Sequence, residues 1–137
     1  MKLAMKRVYL EPTHTDGFRI LVDRLWPRGL SKERAKVDLW LKDIAPSTEL
    51  RKWFHHDPAK WAEFQKRYKQ ELKSQGDQLD VIRERIHQGP VTLLYAAKDE
   101  AHNEAVVLLS MLRPGKPGGV LYSPTGDLLK WDRDSLG

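Results

Sequence analysis

A carboxylate, two guanidinium groups and an indole follow a short apolar run near the start of the chain. The stretch is ILVDRLWPRGL, residues 20–30, in which Asp23, Arg24, Trp26 and Arg28 come directly after the apolar residues. Guanidinium groups bind phosphate or carboxylate oxygens two at a time, and a nearby carboxylate orients them or acts as a base. The pattern therefore predicts an anion-binding site in which Trp26 offers a flat stacking surface. An internal salt bridge from the end of a strand to a helix is the alternative.

A second group of polar side chains follows the apolar stretch VTLLYAA, residues 91–97. Tyr95 and Lys98 are candidate ligand-binding residues. His102 is the best candidate for a general acid or base, because an unperturbed imidazole titrates near neutrality. We expect Asp99 to cap the next helix, which would put Lys98 and His102 one turn apart at its start. A purely structural role for His102 stays open.

Ser47, in the stretch APSTELRKWF, is the third candidate for ligand binding. We expect it to be the N-cap of the following helix, whose free N–H groups could also bind an anion. A nucleophilic role is disfavoured because no G-x-S-x-G motif surrounds it.

Metal and cofactor sites have little support in the sequence. His55 and His56 are adjacent and have no further ligands at metal-binding spacing. The chain also has no Walker loop and no G-x-G-x-x-G motif. We therefore expect no resident metal and no cofactor.

Apolar runs and capping residues predict the elements that position these side chains. Strands are expected at residues 3–10, 18–25, 37–42 and 91–97, with a helix as the alternative for 37–42. Helices are expected after Ser31, Ser47, Asp57 and Asp99, with a further one over residues 77–88.

Strands interleaved with helices predict an α/β fold, a single-domain three-layer arrangement with a mostly parallel sheet flanked by helices. The domain is expected to span residues 1–113. Residues 114–137 would form a C-terminal extension in which 120–124 could add an edge strand. Ligands of such sheets lie outside the carboxyl ends of the strands, and the candidate residues follow the predicted strands.

Composition and charge restrict the class of protein. The chain has 137 residues, of which 40% are hydrophobic and 31% charged, and it has no cysteine. It is therefore expected to be a globular cytoplasmic protein with no disulfides, thiol chemistry or membrane span. The net charge of +5 comes entirely from residues 1–56, which hold 12 Lys or Arg against 7 Asp or Glu. This excess favours an anionic partner, although a solvated basic surface would give the same count.

The motifs VDRLWPRG, APSTELRKWF and LLYAAKD occur in the order typical of one family. Over residues 5–112 the chain resembles the YeaO-like bacterial proteins, a branch of a large family of domains of unknown function (DUF488). The resemblance implies a compact α/β domain and brings no established activity. More distant branches carry Cys, Cys and His where this chain has Tyr95, Asn103 and Glu104, so thiol or Cys/His metal chemistry is not carried over.

The function expected from these features is recognition of a phosphate- or carboxylate-bearing small molecule, such as a nucleotide-like ligand. If the protein is an enzyme, we expect a hydrolase or lyase in which Asp23 or His102 moves protons. Arg24, Arg28 and Lys98 would then stabilise charge. The alternatives are a nucleic-acid-binding module and a regulatory protein that binds its ligand without turnover. The oligomeric state is left open.

Overall fold

A four-stranded parallel sheet forms the centre of the computed structural model, which describes residues 2–113. The strands are β1 (Leu3–Arg7), β2 (Phe18–Leu21), β3 (Leu39–Trp40) and β4 (Val91–Tyr95), arranged in the order β1-β4-β2-β3. All three pairings are parallel. The α/β fold with a parallel sheet is therefore confirmed. The predicted C-terminal extension lies outside the described residues.

Hydrophobicity explains the position of each strand in the sheet. All five residues of β4 are buried, as expected for a central strand covered on both faces. At one edge of the sheet, β3 has only two residues, and both are half-buried. The ambiguous segment 37–42 thus contains a strand rather than a helix.

Five helices flank the sheet, and the structure has them at α1 (Lys32–Ala35), α2 (Thr48–Phe54), α3 (Trp61–Leu72), α4 (Gly76–Gln88) and α5 (Glu104–Leu112). Apolar side chains of α2 to α5 pack with Ile20, Val22 and Leu93 on one face of the sheet. The opposite face carries Leu21 and Leu94, which alternate with those residues and pack against the single turn of α1. One face of the sheet is therefore thickly covered and the other thinly.

Several boundaries differ from the sequence expectations. The strands β1, β2 and β4 end two to four residues before their predicted ends. The helix after β4 begins at Glu104, and the side chain of Asn103 rather than Asp99 accepts the capping bond, from the N–H of Val106. Asp57 caps a 3-10 turn, Pro58–Lys60, that leads into α3. None of the helices in residues 2–113 has the length and apolarity needed to cross a membrane.

Candidate functional site

The carboxyl ends of β2 and β4 meet at the same edge of the sheet. An Oδ2 atom of Asp23, just after β2, accepts a hydrogen bond of 2.9 Å from the backbone N–H of Ala96, just after β4. The indole of Trp40 donates to the Asp23 carbonyl at 2.8 Å, which attaches the end of β3 as well. Residues 23–28 and 95–102, distant in sequence, therefore follow neighbouring strands. We refer to these strand ends and the loops after them as the carboxyl edge.

Arg24 is held by the protein. Its guanidinium donates to the carbonyls of Ala45 at 3.0 Å and Pro46 at 3.3 Å. An oxygen of the exposed Asp43 carboxylate lies 3.9 Å from the guanidinium. Backbone carbonyls rather than a salt bridge therefore provide the main contacts of Arg24.

Trp26 packs into the thinly covered face of the sheet. Its indole N–H donates to the Leu30 carbonyl at 2.6 Å. Its ring meets the ring of Trp40 edge to face, with centroids 5.5 Å apart. The half-buried indole belongs to the apolar cluster built on Leu21 and Leu94. The indole predicted to stack on a ligand is therefore engaged by protein groups.

Arg28 is exposed, whereas its backbone is fixed. The Tyr9 hydroxyl donates to the Arg28 carbonyl at 2.9 Å, and the guanidinium of Arg7 lies 5.2 Å above the Tyr9 ring. Arg7 also donates to the carbonyls of Ala96 and Ala97, at 3.2 and 2.9 Å. These contacts tie the loop after β1 to the loops after β2 and β4. Sequence reasoning did not identify Arg7 and Tyr9. The signal for them was their place at the end of the first predicted strand, because the carboxyl ends of parallel strands lie at the same edge of a sheet.

Two cations at this edge lack acidic partners. Within residues 2–113, no carboxylate oxygen lies within 4.0 Å of the side-chain nitrogens of Arg28 or Lys98. Both residues are exposed. The neighbouring Tyr95 is buried, and burial is the main cause that raises the pKa of its hydroxyl.

Ser47 caps α2 as expected, because its hydroxyl accepts from the N–H of Leu50 at 3.1 Å. The N–H and hydroxyl of Ser47 both donate to the carboxylate of Glu71, at 2.9 and 2.6 Å. The amino end of α2 therefore already holds an anion that belongs to the protein.

His102 is paired with Asp99. The two side chains meet at 2.9 Å between Nδ1 and Oδ2, and a carboxylate can only accept, so the proton is on Nδ1. This hydrogen bond is the main cause that lowers the pKa of Asp99. The imidazole also meets the Trp61 ring edge to face, with centroids 5.1 Å apart. In neutral His102, Nε2 is left as the proton acceptor.

Glu104 contributes a functional group that sequence reasoning did not identify. It is the first residue of α5. Its Oε2 atom is buried and, within the described part of the chain, has no hydrogen-bond partner. Burial, followed by the hydrogen bond to Asp23 and the charge of Asp23, raises the pKa of Glu104 well above its usual value of 4.5.

The thinly covered face carries a cleft of about 370 Å³. It lies between the loop after β1 and the segment that contains α1, and its charged lining residues are Glu11, Glu33, Arg34 and Lys36. Tyr9 also lines it, so the residue that holds the Arg28 backbone forms part of its wall. Its volume is within the range of small-molecule pockets. Over residues 2–113, no group of three or more potential side-chain ligands could hold a metal ion.

Comparison with known proteins places the chain in a family. The model described as "Inactive DUF488-N3 subclade" (DUF488-N3i) matches residues 2–115. The "Uncharacterized protein YeaO" of Escherichia coli (strain K12) is 44% identical over 113 residues, which cover 82% of this chain and 98% of the relative. The "Uncharacterized protein Rv3073c" of Mycobacterium tuberculosis (strain H37Rv) is 40% identical over 111 residues, or 81% and 93%. No solved structure matches significantly. The expected YeaO-like family is confirmed.

Proposed function

We propose that this chain, which belongs to the inactive DUF488-N3 subclade, binds an anionic small molecule in the cleft beside Tyr9 and does not convert it chemically. The proposal rests on a cleft of about 370 Å³ that is lined by Arg34 and Lys36. Tyr9, which also lines it, holds the backbone of the exposed Arg28. The family description favours binding over turnover. A hydrolase or lyase activity, which is expected if the protein is an enzyme, has less support.

The lining of the cleft indicates the chemistry of the ligand. Arg34 and Lys36 supply positive charge for a phosphate or carboxylate group. Glu11 and Glu33 in the same wall accept hydrogen bonds, so a ligand that also carries amino or hydroxyl donors fits best. A nucleotide-like molecule combines these groups. We place this recognition in the cytoplasm, as a chain without cysteine does not depend on an oxidising compartment.

The two candidate catalytic residues are held in place by contacts within the protein. Asp23 accepts a hydrogen bond from Ala96, and His102 is hydrogen-bonded to Asp99 and packed on Trp61. Each of these contacts is internal to the protein. They leave Nε2 of neutral His102 free to accept a proton, and the turnover experiment below tests whether it does so.

A ligand screen tests the proposal. We expect a phosphate- or carboxylate-bearing compound from a metabolite library to raise the melting temperature, since a ligand that binds only the folded state stabilises it. Arg34→Met and Arg28→Met should each weaken binding by about tenfold or more, because a charge-assisted hydrogen bond contributes roughly 1.5–3 kcal/mol. Lys69→Met on α3, which lies on the other face of the sheet, is the matched control and should leave the affinity unchanged.

Turnover is tested on the same compound. Incubating the protein with the identified ligand and analysing the mixture by mass spectrometry should return the ligand intact. Chemical conversion, or an unchanged affinity in both arginine variants, would contradict the proposal.

A nucleic acid is the second candidate partner, favoured by the basic segment 28–36. Four of its nine residues are exposed cations, against the single acid Glu33. If random duplex binds here, the logarithm of the association constant should fall steeply with the logarithm of salt concentration, with a slope near −0.9 per phosphate contact. A flat salt dependence, or no duplex binding, leaves the small molecule as the ligand.

A further inference from the structure

The cleft beside Tyr9 has two chemically different walls. The wall formed by residues 8–12 is mostly apolar, whereas the wall formed by residues 30–36 carries most of the charged side chains. Tyr9 and Leu10 are neighbours in the apolar wall, and they are 42% and 51% exposed. Adjacent exposed apolar side chains in the wall of a cleft are typical of a surface that binds a ligand.

We propose that this cleft binds an aromatic ring that carries a single anionic group, with the ring stacked on Tyr9 and the anionic group at Arg34 and Lys36. The inference rests on the proposed function and names the class of ligand that the cleft takes. Aryl phosphates, aryl carboxylates and nucleoside monophosphates share this chemistry. The stacking role that the sequence predicts for Trp26 thus falls to Tyr9.

The ring of Tyr9 is held in a fixed orientation. Its hydroxyl donates to the Arg28 carbonyl at 2.9 Å, and the guanidinium of Arg7 lies over the ring, 5.2 Å from its centroid. Since Arg7 covers one face of a ring that lines the cleft, the other face is the one available to a planar ligand. A ring that is fixed before binding loses little conformational entropy when a ligand stacks on it, which favours affinity.

The loop that carries Tyr9 is anchored on both sides of it. The N–H of Val8 donates to the carbonyl of Tyr95 at 2.8 Å, which ties the start of the loop to the end of β4. The ammonium group of Lys6 donates to the carbonyl of Glu11 at 2.8 Å. The apolar wall is therefore formed before a ligand arrives.

The charged wall has cations that are available to an anion. The guanidinium of Arg19 donates to the carbonyls of Ala35 and Lys36, at 2.7 and 3.0 Å, which fixes the end of α1. The side chains of Arg34 and Lys36 are exposed. Within residues 2–113, no carboxylate oxygen lies within 4.0 Å of their side-chain nitrogens.

Volume and charge limit the ligand to one ring system and one anionic group. The cleft volume of about 370 Å³ is near the lower end of the range of small-molecule pockets, roughly 300–1,000 Å³, so the cleft suits a single ring system rather than a dinucleotide. Glu11 and Glu33 balance the charges of Arg34 and Lys36 in the lining. Each further negative charge on the ligand therefore adds repulsion.

Calorimetric titration of the wild-type protein with four phosphates tests the ring. Phenyl phosphate and adenosine monophosphate carry a ring, and inorganic phosphate and ribose 5-phosphate are their ring-free counterparts. We expect each ring-bearing compound to bind at least about tenfold more tightly than its counterpart, which corresponds to about 1.4 kcal/mol and is typical of stacking on an aromatic side chain. The tighter of the two ring-bearing compounds distinguishes a simple aryl ligand from a nucleoside. Adenosine triphosphate should bind no more tightly than the monophosphate.

Tyr9→Leu keeps an apolar side chain and removes the aromatic face. We expect it to lower the affinity for the two ring-bearing compounds by about tenfold and to leave the ring-free compounds unchanged, because phosphate still meets Arg34 and Lys36. Tyr9→Phe is the matched control, since it loses the hydroxyl and keeps the ring, and its preference for ring-bearing compounds should remain. The wild-type comparison tests the ring even if Tyr9→Leu does not fold.

The outcomes separate this inference from the proposed function. Equal affinities of ring-bearing and ring-free phosphates for the wild type would overturn the stacking site and leave an anion-binding cleft intact. Equal losses for all four compounds in Tyr9→Leu would also overturn it, because Tyr9 would then only support the loop. A triphosphate that binds more tightly than the monophosphate would overturn the limit to one anionic group. If none of the compounds binds, the stacking site is overturned, and the metabolite screen alone decides the proposed function.

Discussion

Removing the charge of Asp16 should destabilise the fold by several kcal/mol. The buried carboxylate lies just before β2 and accepts hydrogen bonds from the N–H and hydroxyl of Thr13, both at 3.0 Å. It also accepts from Lys6 at 3.1 Å and from Arg19 at 2.6 Å. Burial by itself would raise the pKa of Asp16, but these bonds outweigh burial and lower it from 3.8 to about 2.

The magnitude follows from that shift. Each unit of pKa difference between the folded and unfolded states corresponds to about 1.4 kcal/mol, so the ionised Asp16 contributes about 2.5 kcal/mol. Since the folded pKa is lowered, this contribution is fully present above 3.8 and is lost as the pH falls through about 2. Asp16→Asn leaves the buried guanidinium of Arg19 without its carboxylate. The expected loss at pH 7 is therefore larger, about 3 kcal/mol.

Chemical denaturation at several pH values measures both effects. The wild type should lose stability between pH 4 and 2 more steeply than Asp16→Asn, because only the wild type has this group to protonate. Asp80→Asn removes an exposed carboxylate from its pair with Arg83 and serves as the control, with an expected loss below about 1 kcal/mol. An Asp16→Asn protein as stable as this control at pH 7 would refute the reasoning.

Four further substitutions can be tested by the same denaturation assay. Gly17→Ala should cost more than about 2 kcal/mol, because Gly17 has a φ of 67° and an added Cβ would collide with the Pro90 carbonyl. Gly29→Ala should cost only about 1 kcal/mol, because Gly29 has a similar φ of 77° but open space around it. Trp26→Ala should cost about 2–4 kcal/mol because the indole is packed and hydrogen-bonded, and a loss below 1 kcal/mol would restore its predicted ligand-stacking role. Arg24→Met should cost about 1–3 kcal/mol through the loss of its bonds to backbone carbonyls, and an unchanged stability would mean that these bonds contribute nothing.

Local patterns were sufficient to predict the fold class and several helix starts. Ser31 and Ser47 cap α1 and α2 as expected, since an N-cap depends on one side chain and the N–H three residues later. The start of α5 was misassigned because two capping residues stand four positions apart. Asp99 accepts from Ala101 and His102 in a turn of its own, and Asn103 caps the helix. The local sequence allows either Asp99 or Asn103 to be the N-cap of α5 and does not show which of them is used.

For contacts between distant segments, the sequence predicts only the general location and not the residues that meet. The rule that ligand sites lie at the carboxyl ends of parallel strands placed Asp23 near residues 95–102, and its bond to Ala96 agrees with that placement. The partners of Arg7 lie 89 and 90 positions away, so its place at the end of the first strand indicates the edge on which it lies but not the carbonyls to which it donates. Glu104 was overlooked because it was considered only as a replacement for a histidine, whereas the burial of its Oε2 atom comes from the packing of α5.

The chemically rich segment 23–28 shows why residue types alone do not separate a site from its support. Arg24 and Trp26 have the side chains expected of a ligand site, yet backbone carbonyls of the protein accept their hydrogen bonds. Such bonds make a loop rigid, and a rigid loop holds its remaining side chains in place for binding. Arg28 is the cation of this segment whose side chain stays exposed, on a backbone that Tyr9 fixes. In the proposed function, Arg24 and Trp26 are therefore the frame that holds Arg28 in place for a ligand.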